Sequence, residues 1–139
     1  MAYWLLKTEP SVFSYDDLVA KGRDMWDGVR NAGALAHMRR MRRDDLAFFY
    51  HTGQERRVVA VCRVVSDPYP EPGQDNPRVQ LVDVEPLQRL ARPVTLAEIK
   101  ADPAFAQWEL VRQARLSVMP VPEPLWQRVI ERAAAPGPV

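Results

Sequence analysis

The sequence predicts a mixed α+β domain in which about five to six short strands curl into a barrel-like sheet flanked by short helices. Three observations predict it. Runs of strand length, rich in aromatic and β-branched residues, recur along the chain between Gly, Pro, Asp and Asn. Between them lie short segments that open on helix-capping residues. No repeat or linker composition divides the 139 residues, a length that buries one core without disulfides or metals. One domain over residues 1–134 is therefore expected, with a flexible tail over 135–139.

The elements follow in order. Tyr3 to Leu6 is an aromatic and aliphatic run before Glu9-Pro10 and reads as a first, buried strand. Ser14 with Asp17 has the form of a capping box; Leu18 and Val19 supply the buried side of a short helix that Gly22 ends. Gly22 to Asn31, Gly-Arg-Asp-Met-Trp-Asp-Gly-Val-Arg-Asn, is too rich in Gly and Asp for a good strand or helix. It reads as a loop presenting Trp26, with Met25 and Val29 as its ordinary core candidates; the alternative is that Trp26 plugs the core beneath a long connection. Asn31 can cap a helix to about Arg43, with Leu35, Met38 and Met41 on one side and Arg39, Arg40 and Arg43 on another. Leu46 to His51 and Arg57 to Val65 read as strands joined by the turn Thr52-Gly53-Gln54. Pro68 to Gly73 reads as an irregular loop and Arg78 to Val84 as the next strand. Thr95 with Glu98 is a second capping box, and Asp102-Pro103 sets the cap and first position of another helix. Leu116 to Val121 is the last strand. Pro124 to Ala134 closes the domain as a helix burying Trp126, Val129 and Ile130.

Composition narrows the function classes. The formal charge is +1, so any basic surface is local. Of the cations only three are Lys; the Arg excess favours planar, bidentate or stacking contacts, unless base composition alone explains it. A single cysteine, Cys62, excludes an internal disulfide and a Cys-based zinc site, and among Val59, Val61, Val64 and Val65 it reads as structural. The start Met1-Ala2-Tyr3-Trp4 lacks a signal-peptide pattern, and no apolar stretch approaches membrane-spanning length. A soluble, cytoplasmic monomer without cofactor or metal is expected.

Several motifs, in one order, resemble the EVE domain family. Trp26-Asp27-Gly28-Val29-Arg30-Asn31 is similar to its central signature. Around it stand Tyr3-Trp4-Leu5-Leu6-Lys7-Thr8-Glu9-Pro10, Tyr15-Asp16-Asp17-Leu18, Phe48-Phe49-Tyr50-His51, Val82-Asp83-Val84, Pro93-Val94 with Ile99-Lys100, and Arg115-Leu116-Ser117-Val118 with Pro120-Val121. The resemblance runs from about Ala2 to about Ile130. It implies a PUA-like barrel akin to the YTH domain, which reads a modified nucleobase in an aromatic-lined pocket. The chain also departs from the pattern. Where the family usually has Tyr-Gln-Ala-Arg, it reads Ala32-Gly33-Ala34-Leu35. The stretch with an aromatic Pro-Arg-Trp is cut down to Gln74-Asp75-Asn76-Pro77-Arg78-Val79, with Val79 at the Trp position. Such a pocket is wider, shallower, or completed by Trp108.

A reader of one flipped base needs a flat apolar slot, worth roughly 1–3 kcal/mol per stacked base, and fixed polar groups on the base edge. Trp26 is the stacking candidate, Asn31 offers both donor and acceptor, and Arg30 lies between them in the motif. Lys7 and Thr8 end the first strand, where barrel sites collect, although Lys7 and Glu9 can also form an ion pair. Tyr50 and His51 close the same rim or are satisfied core groups. Tyr69 is the candidate second wall. Arg115, with Ser117 in the same motif, either forms a salt bridge or approaches a phosphate. The face of Arg39, Arg40 and Arg43 suits backbone phosphates, or is simply solvated helix. The expected partner is DNA or RNA containing a modified, for example methylated, base. The alternatives are a small amidohydrolase using Lys7, Thr8 and Glu9, whose consecutive side chains alternate faces in a strand, and a protein-interaction domain.

Overall fold

Six strands form one curled sheet, a half-barrel, in the order β2 (Asp24–Met25), β7 (Asp83–Thr95), β4 (Arg57–Val64), β3 (Leu46–His51), β1 (Tyr3–Thr8) and β8 (Val118–Pro120). The computed structural model describes residues 1–134; the expected tail lies outside them. β1 pairs parallel with β3, from Tyr3 opposite Leu46 to Thr8 opposite His51, and every other pairing in the sheet is antiparallel. The parallel pair needs a crossover, supplied by α1 (Tyr15–Lys21), the loop around Trp26 and α2 (Ala32–Met38). Parallel pairing also brings the C-terminal ends of β1 and β3 to one rim.

Both faces of the sheet are covered, so β3 is a continuous apolar run without alternation. Consecutive residues point to opposite faces. Phe48 stacks on Trp126 of α5 (Glu123–Ala134) at 3.8 Å, while Phe49 meets Trp26 edge-on at 5.4 Å and Tyr15 of α1 at 5.2 Å. Cys62 of β4 is fully buried, and burial pushes its thiol up to about 12. Native protein should therefore react with a thiol reagent at pH 8 only as fast as it unfolds; rapid labelling of the folded state would refute a structural role.

Both capping boxes form, at Ser14/Asp17 and at Thr95/Glu98, where α3 (Leu96–Ala101) begins. Asp102 caps the short 3-10 turn Pro103–Phe105. Other expectations are corrected. Val19 is 50% exposed, and Tyr15 fills the buried side of α1 with Leu18. The helix capped by Asn31 ends at Met38 instead of near Arg43. The Asp45 carboxylate takes the Arg42 N–H and Asp44 turns left-handed, so the chain leaves the helix in tight turns. The Pro68–Gly73 stretch is not wholly irregular, because β5 (Tyr69–Pro70) pairs with β6 (Gln80–Leu81). The strand expected over Arg78 to Val84 is broken at Val82: Gln80–Leu81 is β6, and β7 starts at Asp83 and runs past Val84 through Pro86 and Pro93. Register shifts against β4 absorb both prolines, which is how a ladder tolerates them. The helix α4 (Glu109–Arg112) has no sequence signal of its own.

The closing helix is held by charge as well as by Trp126. Asp102 accepts from Arg128 Nε at 2.6 Å, Arg132 Nη2 at 2.9 Å and the Ala104 N–H at 3.0 Å. Arg128, then Arg132 and that N–H, hold its carboxyl well below the ordinary range. Burial works against Glu98, yet hydrogen bonds from Arg92 and the Thr95 N–H outweigh it and keep that carboxyl low too. A carboxyl lowered by folding stabilises the protein above its unfolded pKa, about 3.9 for Asp and 4.3 for Glu, and loses that contribution as pH falls below it. The melting temperature should therefore drop steeply below about pH 4.5. The Asp102→Asn difference from wild type should shrink over the same range; a difference constant from pH 6 to 2 would refute this.

Candidate functional site

The rim shared by β1 and β3 opens into a cleft of about 460 Å³, inside the range of small-ligand sites. Its lining comes from the end of β1 (Lys7, Thr8), the turn after it (Val12, Phe13), the loop from Asp24 to Arg30, and Ser117 just before β8. The loop is fixed rather than floppy. β2 pairs with β7, the Trp26 N–H donates to Val82 O at 2.9 Å, and Gly28, at φ 78°, makes the reversal that a side chain would resist.

Trp26 lines this cleft while only 6% exposed. The expected presentation of its face is corrected: the ring is wedged edge-on between Phe49 and Phe13, at 5.4 and 6.2 Å, and offers the cleft only a margin. Apolar surface is supplied instead at the rim, where Val12 is 79% and Met25 40% exposed. Met25, expected in the core, is thus corrected to a rim residue, whereas Val29 is buried. Two exposed aliphatic groups on one concavity mark a binding surface better than either alone.

The polar lining carries both signs. Burial lowers the Lys7 amine, whose Nζ donates to Ala114 O at 3.0 Å and lies 5.6 Å from the Tyr50 ring centre. The Thr8 hydroxyl donates to Phe13 O at 2.8 Å. Arg30 pairs with Glu71 at 3.5 Å, and Asp24 with Lys21 at 3.1 Å. Asp27 is exposed and has no hydrogen bond or ion pair among the described residues. The cleft lining thus includes an unpaired acceptor, Asp27, together with the donors Lys7, Arg30 and Ser117.

Of the residues expected at the site, the structure brings Lys7, Thr8, Trp26, Arg30 and Ser117 together and sends the others elsewhere. Asn31 and Arg115 line an adjoining depression of about 450 Å³, and Asn31 Oδ1 is occupied in capping α2 through the Ala34 N–H. Tyr50 is core, and burial pushes its hydroxyl up to about 12. His51 is a satisfied core group: Nε2 accepts the Tyr15 N–H at 3.1 Å, so Nδ1 carries the proton and donates to Glu55 at 3.0 Å. Tyr69 does not wall the cleft. It hydrogen-bonds Asp83, and burial first, then that carboxylate, raises its hydroxyl to about 12. Trp108 does not complete the cleft either; it is buried, with Nε1 donating to Pro120 O.

Arg39, Arg40 and Arg43 share no helical face. Arg39 Nη1 donates to Arg78 O, while Arg40 and Arg43 line a depression with Ala2 and Asp45. Ala2 directly precedes β1 and lies five positions before Lys7, so that depression lies about 17 Å from the cleft at ~3.3 Å per residue. Lys7, Thr8 and Glu9 do not converge: Glu9 accepts from Ser11 and Thr52, away from the Lys7 amine. Among the described residues no group of three His, Cys, Asp or Glu side chains could hold a metal, and no helix is long and apolar enough to cross a membrane. Sequence reasoning missed Val12, Phe13 and Asp27 as lining residues. Phe13 had a signal, since an apolar residue before a cap with Leu18 four positions into the helix has the form of a hydrophobic staple; Val12 had none.

Residues 2–132 match the EVE domain. Thymocyte nuclear protein 1 of Rattus norvegicus is 33% identical over 124 residues, covering 70% of this chain and 55% of the relative. The chain thus spans about half the length of the curated relatives it matches. Among solved structures, a Rhodopseudomonas palustris protein determined by NMR is 41% identical with a TM-score of 0.91, over 96% of this chain and 93% of that one. Human THYN1 protein in complex with DNA containing 5-methylcytosine is 29% identical with a TM-score of 0.89, over 99% and 100% of the two chains. None of these relatives carries an enzymatic name.

Proposed function

This chain belongs to the EVE domain family, and we propose that its cleft holds one methylated cytosine of DNA, turned out of the strand, without converting it. The observation that carries this reading is the meeting of rim apolar groups, Val12 and Met25, with the unpaired acceptor Asp27 and the donors Lys7 and Ser117 in one cleft. A cytosine edge needs that combination: its amino group donates, and its ring nitrogen and carbonyl accept. The likeness to the human THYN1 complex makes 5-methylcytosine the first ligand to try. The domain acts as a cytoplasmic monomer in this reading, and Arg40 and Arg43, too distant for the phosphates beside the base, meet the backbone of longer strands.

Burying one extra methyl is worth about 0.8 kcal/mol, or about fourfold in affinity. A single-stranded DNA with one 5-methylcytosine should bind at least that much tighter than the unmethylated strand. Val12→Asp should remove the preference with the melting temperature unchanged, because Val12 is exposed. Equal affinity for both strands would overturn the reading. Equal affinity for the matching RNA would overturn its restriction to DNA.

A further inference from the structure

The depression beside the cleft lies between Asn31 and Gly33, at the start of α2, and the segment Gln113 to Leu116 that leads into β8. We propose that it seats the backbone phosphate next to the held base, with Arg115 as its cation; this rests on the reading that the cleft holds a base.

Three observations carry the assignment. The two concavities share a wall, since Lys7, which lines the cleft, donates to Ala114 O of the depression at 3.0 Å. Both chain segments framing the depression run directly into the cleft, Asn31 following Arg30 and Arg115 preceding Ser117 by two residues. A strand with one base in the cleft therefore has its adjacent backbone within a single nucleotide step of Arg115.

Charge is the second observation. Arg23, Arg57, Arg63, Arg89, Arg128 and Arg132 are paired with carboxylates, and Arg30 with Glu71. Arg115 is exposed, has no partner among the described residues, and faces a depression lined by no acidic side chain. The remote depression with Arg40 and Arg43 differs, because Asp44 and Asp45 line it too. An uncompensated guanidinium suits a phosphate, which it can bind with two parallel hydrogen bonds.

The third is space. A Cβ on Gly33 would lie 3.2 Å from Asn31 Oδ1 and 3.6 Å from a Leu116 methyl, so a side chain there would occupy the opening. With Oδ1 of Asn31 engaged by the Ala34 N–H, its amide NH₂ has no partner among the described residues and supplies a second donor.

The test compares wild type, Arg115→Ala and Arg115→Lys with two probes: 5-methyl-2′-deoxycytidine, which has no phosphate, and a DNA trinucleotide with 5-methylcytosine at its centre. Arg115→Ala should bind the trinucleotide about tenfold more weakly. Its log–log salt slope should be shallower by about 0.7, the contribution of one phosphate contact on a single strand. Nucleoside binding should stay at the wild-type level, and Arg115→Lys should restore the slope because it keeps the charge. Wild-type affinity and slope for the trinucleotide in Arg115→Ala, with nucleoside binding intact, would overturn this inference and leave the cleft reading standing. Equal weakening of both probes would also overturn it, by making Arg115 part of the base site. Failure of the wild type to bind either probe would overturn the cleft reading itself.

Discussion

Trp26→Ala should cost the protein about 3–5 kcal/mol of stability, the range for truncating a core aromatic, and abolish ligand binding with it. The ring is 6% exposed and touches Phe49 and Phe13 edge-on at 5.4 and 6.2 Å. Its loss opens a void between the sheet and the turn that carries Val12, so the loop that lines the cleft loses its support as the core loses contacts. The Gly- and Asp-rich composition of the loop predicts the opposite, a ring held out to solvent whose removal leaves the melting temperature alone. The two expectations separate cleanly in a denaturant titration. A loss of 3 kcal/mol lowers the melting point by roughly 10 °C in a domain of this size. Trp26→Phe, which retains the edge contacts, should recover most of the stability. An unchanged midpoint for Trp26→Ala would mean that the ring contributes to the cleft alone.

Local chemistry made much of the fold legible. The two capping boxes, the turn at Thr52-Gly53-Gln54 and the run Leu46 to His51 each carry their own signal, and each stands where the sequence places it. What failed depended on contacts distant in sequence. Arg39 to Arg43 keep a helical pattern, but the carboxylate of Asp45 takes the Arg42 N–H and pulls the chain out of the helix. The continuation of β7 past Val84 was hidden because Pro86 and Pro93 read as breakers until register shifts against β4 absorb them. The site divided in the same way. Lys7, Thr8, Trp26, Arg30 and Ser117 meet because β2–β7 pairing and the Trp26 N–H on Val82 O bring the loop to the end of β1, where the Lys7 N–H holds Ser117 O. Asn31 parts from Arg30 because its Oδ1 caps α2, and Tyr69 because Asp83 engages its hydroxyl. Composition names side chains of the right type; only the pairing partner of each decides which way it faces.

Asp44 and Asp45 carry that argument to a measurement, since in sequence they are one acidic lead-in to β3 and in the fold they have opposite roles. Asp45 is 4% exposed, and its carboxylate accepts from the Ala2 N–H at 3.0 Å, Trp4 Nε1 at 2.9 Å and the Arg42 N–H at 2.9 Å. Removing it strands the indole N–H of a buried Trp4 and the N–H that ends the turn after α2. At about 1–3 kcal/mol for each buried donor left unpaired, and with relief from burying a charge acting the other way, Asp45→Ala should cost about 2–4 kcal/mol. Asp45→Asn should be nearly as damaging, because it keeps one acceptor oxygen and sets an NH₂ against donors. Asp44 has no side-chain hydrogen bond among the described residues and sits at φ 76°, a conformation that glycine adopts without strain. Asp44→Gly should therefore be neutral or stabilising by up to about 1 kcal/mol. Urea midpoints of the three variants decide it: an Asp45→Ala midpoint equal to wild type, or an Asp44→Gly protein as unstable as Asp45→Ala, would show that the carboxylate network does not hold this corner of the sheet.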